Sequence, residues 1–214
     1  MKIFISYAHE DRVQVSEIKR YLDDEFGFDV FLAHEDIAPT HEWVDEILSE
    51  LNVCDVFIAF LTENFNKSDW TDQEVGFALA RGVKIIPLNA RVNPRGFIGR
   101  YQALNFRTVI SACNEILKII VETPDLRENI LNQLIAVFEN SYNFRRAESV
   151  FDNLIEFEDK LSSQQKNKIV RLSGINNQIY GSFGAKKGIL GFIKRHKGEL
   201  NNDLVEAFIR SMVE

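Results

Sequence analysis

The chain has few of the residues that define several protein classes. Its 214 residues include two cysteines, Cys54 and Cys113, and both lie in apolar segments. We therefore expect two buried, reduced thiols and no disulfide. No apolar run approaches the roughly 18 residues of a membrane-spanning helix, and the first residues show no charged leader with a cleavage site. We expect a cytoplasmic protein that makes no membrane contact.

The chain also has no excess of basic residues over acidic ones. The chain carries 25 Lys and Arg against 32 Asp and Glu, a formal net charge of −7. Residues 1–122 hold 12 basic and 20 acidic residues, whereas residues 123–214 hold 13 and 12, so the two parts present different surfaces. Nucleic-acid binding relies on clustered Lys and Arg that neutralise phosphates, and we therefore expect no nucleic acid as a partner.

Short apolar runs alternate with helical patterns in the first part of the chain. Strands are predicted at 2–6, 28–32, 53–61 and 83–88, with a weaker one at 103–106. Helices are predicted at 13–26, 42–51 and 70–81, where apolar residues recur every three or four positions. This alternation predicts an α/β fold with a flavodoxin-like five-stranded parallel sheet covered on both faces.

The remainder of the chain predicts a small all-helical domain. Amphipathic patterns cover 126–142, 144–161, 164–180 and 203–213. We place the boundary within 121–125, giving a sheet domain at 1–122 and a helical domain at 123–214. The glycines at 181, 184 and 188 predict a helix-breaking turn, since no strand precedes them as a phosphate-binding loop requires. The basic run between Lys186 and Lys197 is interpreted as a solvated helix face, or as a docking site for an acidic partner or for the acidic first domain.

A doubly wound sheet binds ligands at the carboxyl ends of its strands, where the first and third strands diverge. The loops predicted to meet there are 7–12, 33–41 and 62–69. The last of these leads into Trp70 and Glu74, which share a helix face because they are one turn apart. An aromatic ring beside a fixed carboxylate suits cleavage of a cationic N-glycosidic bond, and it equally suits ordinary packing.

The start of this helix carries several acidic residues. Asp69 is predicted to be the N-cap, with Asp72 completing a short capping box. Glu74 then lies within the first two turns, where the helix dipole favours an ionised carboxylate. Such a carboxylate can stabilise the oxocarbenium-like state that forms as a nicotinamide departs from its ribose.

Further segments stand in a characteristic order along residues 1 to about 122. They are Ile3-Phe4-Ile5-Ser6-Tyr7, Asp29-Val30-Phe31-Leu32 with the loop 33–39, Trp43, the segment 56–62, and Trp70-x-x-x-Glu74 followed by Ala78. Together they resemble the Toll/interleukin-1 receptor (TIR) domain. In TIR enzymes the glutamate of the W-x-x-x-E element is the catalytic residue for NAD cleavage.

The resemblance implies roles for individual residues. Glu74 becomes the catalytic carboxylate, and Trp70 becomes its neighbouring aromatic. No metal or cofactor is implied, because NAD+ is the substrate. The remaining substrate-binding residues implied are Ser6, Tyr7, His9, Arg12, Glu35, Ile37 and Trp43.

Two positions depart from the family pattern. Ala8 and His9 stand where the animal axon-degeneration enzyme has two arginines, and His9 or Arg12 could substitute for them in contacts with the dinucleotide phosphates. Pro39-Thr40 replaces a glycine that is common in the second loop, and proline stiffens a segment that glycine frees.

Other protein families that share this sheet need residues that the chain does not have. A phosphoacceptor domain needs an aspartate after the third strand, where this chain has Thr62. A dehydrogenase needs a glycine-rich turn after the first strand, and the segment 6–9 has no glycine. His34 and His41 have no tight metal-ligand spacing.

Two hypotheses remain. In one, the protein is an NAD+ nucleosidase that releases nicotinamide and forms ADP-ribose or a cyclic or conjugated relative. It would then be activated by a trigger and act as a homo-oligomer. Its product would serve bacterial anti-phage immunity by binding to a separate effector. In the other, the TIR domain is a non-catalytic interaction module and Glu74 is idle.

Overall fold

The computed structural model describes residues 1–32 and 43–212. The described chain forms two compact units, which we name the sheet unit (residues 1–24 and 28–126) and the helical unit (residues 25–27 and 127–214, described to 212). The proposed domains at 1–122 and 123–214 stay a prediction, because compactness alone does not show that either part folds by itself. No helix in the described part of the chain is long and apolar enough to cross a membrane.

The sheet unit contains five parallel strands in the order β2-β1-β3-β4-β5, which confirms the predicted flavodoxin-like sheet. Central strand β3 is buried at all six residues, as expected for a strand covered on both faces. Its register places Phe57 opposite Phe4 of β1, and these two rings stack with centroids 5.7 Å apart. The strands are β1 (Lys2–Ser6), β2 (Asp29–Leu32), β3 (Val56–Leu61), β4 (Lys84–Asn89) and β5 (Leu104–Asn105).

Four long helices connect and cover these strands. They are α1 (Arg12–Phe26), α2 (Trp43–Val53), α3 (Asp69–Arg81) and α4 (Val109–Glu122). The predicted third strand began too early, because Val53 belongs to the last turn of α2. Helix α4 was missing from the prediction, although the side chain of Thr108 caps it by accepting a hydrogen bond from the Ser111 amide at 3.2 Å. The cysteines are free and buried, as predicted.

The remaining helices are α5 (Pro124–Glu139), α6 (Phe144–Glu156), α7 (Ser163–Ser173), α8 (Asn177–Tyr180), α9 (Phe183–Arg195) and α10 (Asn202–Ser211). The predicted helix at 164–180 is two helices, because Asn176 ends one continuous run by capping α8 with its side chain. Helix α9 was interpreted as a turn. The chain does break at Gly181, but Gly184 and Gly188 lie inside α9.

These two glycines allow α9 to approach α6 closely. A Cβ at Gly188 would lie 2.6 Å from Cε1 of Phe151, and one at Gly184 would lie 2.6 Å from Oε1 of Glu148. Both distances are too short for a real side chain. The ring of Phe151 is buried, so glycine is needed at 188 for packing against α6 rather than for a turn, whereas the Glu148 side chain beside Gly184 is flexible.

The basic run at the end of α9 does not form one uniform face. Arg195 Nε lies 2.8 Å from Glu158 Oε1. His196 is buried, with Nε2 3.4 Å from Glu158 and Nδ1 3.2 Å from Glu199. Lys187, Lys194, Arg195 and Lys197 are exposed, so the predicted solvated face holds for them and is wrong for the buried His196.

Candidate functional site

The site is built around Glu74 in the second turn of α3. This side of α3 faces the sheet, and Glu74 is 5% exposed beside the equally buried Val75 and Ala78. The hydroxyl of Ser6, at the end of β1, donates a hydrogen bond to Oε2 of Glu74. Ser6 is itself 1% exposed. Ser6, placed by the resemblance among the substrate-binding residues, therefore contacts the carboxylate directly.

Burial sets the protonation of this carboxylate. Removal from water raises the pKa of Glu74 from its ordinary value of 4.5 to about 7, and the Ser6 hydrogen bond works in the opposite direction. The expected ionised carboxylate is thus only partly correct. Desolvation outweighs the Ser6 hydrogen bond, so protonated and ionised Glu74 coexist near pH 7.

The predicted capping of α3 is wrong in its details. The N-cap is Ser68, which has an extended backbone, and Asp69 is already the first helical residue. Thr71 stabilises this start by donating to the carbonyls of Phe65 at 2.7 Å and Ser68 at 2.9 Å. Asp72 makes no capping box and instead lies 3.7 Å from Arg95 Nη2.

A cavity of about 230 Å³ opens between the loops that follow β1 and β3, and we call it the Trp70 cleft. His9 and Trp70 both line it, so the structure brings together two of the predicted substrate-binding residues. Glu74 does not line the cleft but lies one helical turn beyond Trp70. The residues that line the Trp70 cleft are Ala8, His9, Glu10, Asn64, Lys67, Ser68 and Trp70.

The other predicted substrate-binding residues have different positions. Tyr7 is buried at 2% exposure. Arg12 is exposed at the start of α1 and does not line the cleft. Glu35 and Ile37 fall outside the described residues, as does the side chain of Trp43, whose backbone begins α2.

Thr62 and Asp11 were not predicted as site residues. Thr62 follows β3 and is 3% exposed. Its hydroxyl donates to Oδ2 of Asp11 at 2.5 Å and accepts the Phe65 amide at 3.1 Å. A hydroxyl directly after six apolar strand residues is the sequence signal that could have identified it, since a buried polar group needs partners.

A larger cavity of about 490 Å³ adjoins another part of α3. It is lined by Asp72 and Val75 of α3 and by Arg95, Phe97 and Ile98 of the segment after β4, among others. None of the predicted site residues that the structure describes lines it. We therefore place the candidate site at the Trp70 cleft, where the carboxyl ends of β1 and β3 meet.

Comparison with known proteins supplies the family. A family model described as TIR domain matches residues 3–118. Among solved structures, the TIR domain of the Toll-related receptor TRR-2 from the lower metazoan Hydra magnipapillata aligns with 60% of this chain and 96% of its own, at 20% identity and a TM-score of 0.44. A search of curated proteins found no match.

Proposed function

The chain belongs to the TIR domain family, and from that membership we propose that it is an NAD+ nucleosidase with Glu74 as its catalytic carboxylate. The observation that carries this proposal is the buried Glu74, held by Ser6 and one turn from the Trp70 cleft. A buried carboxyl with a pKa near 7 close to a cleft is typical of a group with a chemical role.

The chemistry needs one ionised carboxylate. The bond between the ribose C1′ and the nicotinamide nitrogen breaks, its electron pair leaves with the ring, and the cationic nicotinamide departs neutral. Positive charge develops on the ribose, and ionised Glu74 stabilises it. Water then attacks C1′ and loses a proton, which yields ADP-ribose; attack by an adenine nitrogen yields a cyclic product instead.

The two oxygens of Glu74 have different tasks in this mechanism. Oε2 accepts the Ser6 hydroxyl and is thereby fixed, which leaves Oε1 for the ribose. A cationic nicotinamide brought next to Glu74 favours the ionised form, so substrate binding draws the carboxyl toward its active state.

An enzyme needs NAD+ to reach Glu74, whereas a non-catalytic interaction module does not. The carboxylate is 5% exposed and does not line the Trp70 cleft, which on its own favours an interaction module. We propose that assembly into a homo-oligomer through TIR domains opens the path from the cleft to Glu74. The nucleotide product then acts as a signal for a separate effector in bacterial anti-phage immunity.

The test is to incubate the protein with NAD+ and resolve the products by mass, with and without extract of infected cells. We expect nicotinamide and an ADP-ribose product from the assembled protein and none from Glu74→Gln. Asp69→Asn is the matched control, because it removes an exposed carboxylate from the same helix. Full turnover by Glu74→Gln would overturn the assignment, and inactivity of the assembled wild type would favour the interaction module.

A further inference from the structure

The buried Thr62 joins two loops of the site. Its hydroxyl has a donor and an acceptor role, and both are filled: it donates to Asp11 at 2.5 Å and accepts from the Phe65 amide at 3.1 Å. Asp11 ends the short 3-10 helix His9–Asp11 that follows β1. Phe65 begins another, Phe65–Lys67, that follows β3. One side chain therefore connects the two segments.

These segments are the walls of the Trp70 cleft. Ala8, His9 and Glu10 come from the loop after β1, whereas Asn64, Lys67, Ser68 and Trp70 come from the segment after β3. Each wall also has internal hydrogen bonds. The Asp11 amide donates to Ala8 at 2.8 Å, and the Lys67 amide donates to Asn64 at 2.9 Å.

We propose that the Thr62–Asp11 hydrogen bond is a positioning device that fixes the separation of the cleft walls and thereby sets the affinity for substrate. This inference rests on the proposed NAD+ cleavage for its substrate. A hydrogen bond to a carboxylate is stronger than one between neutral groups, and a preformed cleft loses less entropy when a ligand binds. Neither residue forms a hydrogen bond with Glu74, whose partner is Ser6, so the chemical step is left unchanged.

Isosteric variants separate the hydroxyl from the volume of the side chain. Thr62→Val keeps the shape and removes both hydrogen bonds, whereas Thr62→Ser keeps the hydroxyl. We expect Thr62→Val to raise the KM for NAD+ by roughly five- to tenfold with kcat within about twofold. Thr62→Ser is expected to behave as wild type. Asp11→Asn, which keeps an acceptor oxygen, is expected to affect KM less than Asp11→Ala.

Thr123→Val is the matched control. The hydroxyl of the half-buried Thr123 also donates a hydrogen bond, to the Ile119 carbonyl at 2.8 Å, but it lies at the end of α4 away from the cleft walls. The KM of the Thr123→Val variant for NAD+ is expected to equal that of wild type. Thermal unfolding of every variant identifies any that fails to fold, and the Asp11 pair then carries the comparison.

A second measurement does not require activity. Amide hydrogen exchange of Asp11, whose own acceptor is Ala8 and is untouched by the substitution, is expected to be faster in Thr62→Val than in Thr62→Ser, because the walls are no longer joined. An unchanged KM in Thr62→Val, or a loss confined to kcat, overturns the positioning role. If the assembled wild type cleaves no NAD+, the proposed function fails, and unchanged exchange in Thr62→Val separately overturns the connection between the walls.

Discussion

At the scale of single residues, the buried carboxyl of Glu74 predicts a pH dependence. Its pKa of about 7 means that a growing fraction is ionised as the pH rises. We expect kcat/KM for NAD+ cleavage, which depends on the pKa of Glu74 in the free protein, to increase through about pH 7 and to level off above pH 8. Initial rates between pH 5.5 and 9 measure this, and a rate that falls over that range contradicts the role of ionised Glu74.

The same pKa predicts a cost in stability. A carboxyl whose pKa rises from 4.5 in the unfolded chain to about 7 on folding binds protons more tightly when folded. Stability is therefore highest at acidic pH in this window and falls as the pH rises, by about 3 kcal/mol at most above pH 8. Glu74→Gln is expected to be more stable than wild type at pH 8 and similar at pH 4.5. Urea unfolding at the two values checks the sign.

Ser6 tunes this carboxyl. Its hydrogen bond lowers the pKa of Glu74, so Ser6→Ala is expected to move the midpoint of the pH profile upward. Ser173→Ala is the control, since Ser173 is equally buried and donates to the Ile169 carbonyl at 2.8 Å in the helical unit. A carbon-13 titration of the Glu74 carboxyl gives the midpoint directly. A downward movement would contradict the contact.

Residue types alone identified only part of the site. The four-residue spacing of Trp70 and Glu74 was visible in the sequence because helical periodicity is local. The partnership with Ser6 joins residues 68 positions apart and depends on how α3 packs on β1. Burial, which determines the pKa of Glu74, is also a property of the packed chain and has no signature in a single segment.

At the scale of elements, the contact of α9 with α6 predicts an asymmetry between two glycines of one helix. Gly188→Ala places a methyl group 2.6 Å from the ring of Phe151, which is 1% exposed and has no room to move. We expect a loss of about 1–3 kcal/mol in stability. Gly191→Ala meets only the end of the flexible Arg195 side chain at 3.2 Å. It is expected to be neutral or stabilising, because alanine favours helix more than glycine does.

Urea unfolding of the two alanine variants measures this difference. Equal stabilities would show that α9 does not approach α6 as closely as the structure has it. The same contact explains why α9 was missed from the sequence. Glycines at 181, 184 and 188 weaken the helical pattern locally, and only the neighbouring ring of Phe151 reveals that the last of them serves packing.

Strands were easier to predict than helix ends. The apolar residues of β3 form a continuous run, so its identity is a local property. The start of α3 is different, since Ser68, Asp69 and Asp72 are all residue types that favour a helix N-terminus. The choice among them depends on Thr71, whose hydrogen bonds to Phe65 and Ser68 fix the preceding turn.

At the scale of the whole molecule, the proposed assembly predicts a concentration dependence. If homo-oligomer formation opens Glu74 to substrate, the rate of NAD+ cleavage per molecule rises with protein concentration and levels off when assembly is complete. Initial rates measured beside the molar mass from light scattering test this. A rate per molecule that stays constant while the mass changes contradicts the link between assembly and activity.

The family and the sheet order were accessible from the sequence because the strand runs and the segments around Ser6, Trp70 and Glu74 lie in one order along the chain. The organisation of the helical unit was less accessible. Its helices pack closely at glycines, and the buried His196 lies between two glutamates. Both kinds of contact join segments that are distant in the sequence.

The loss of stability caused by the buried Glu74 has a consequence for how the sequence changes during evolution. A mutation of Glu74 to glutamine would remove an ionisable group that the folded protein holds away from water. A protein that served only as a scaffold would therefore drift toward the neutral amide, since nothing would select against it. Selection for the chemistry of Glu74 would instead keep the acid at this position.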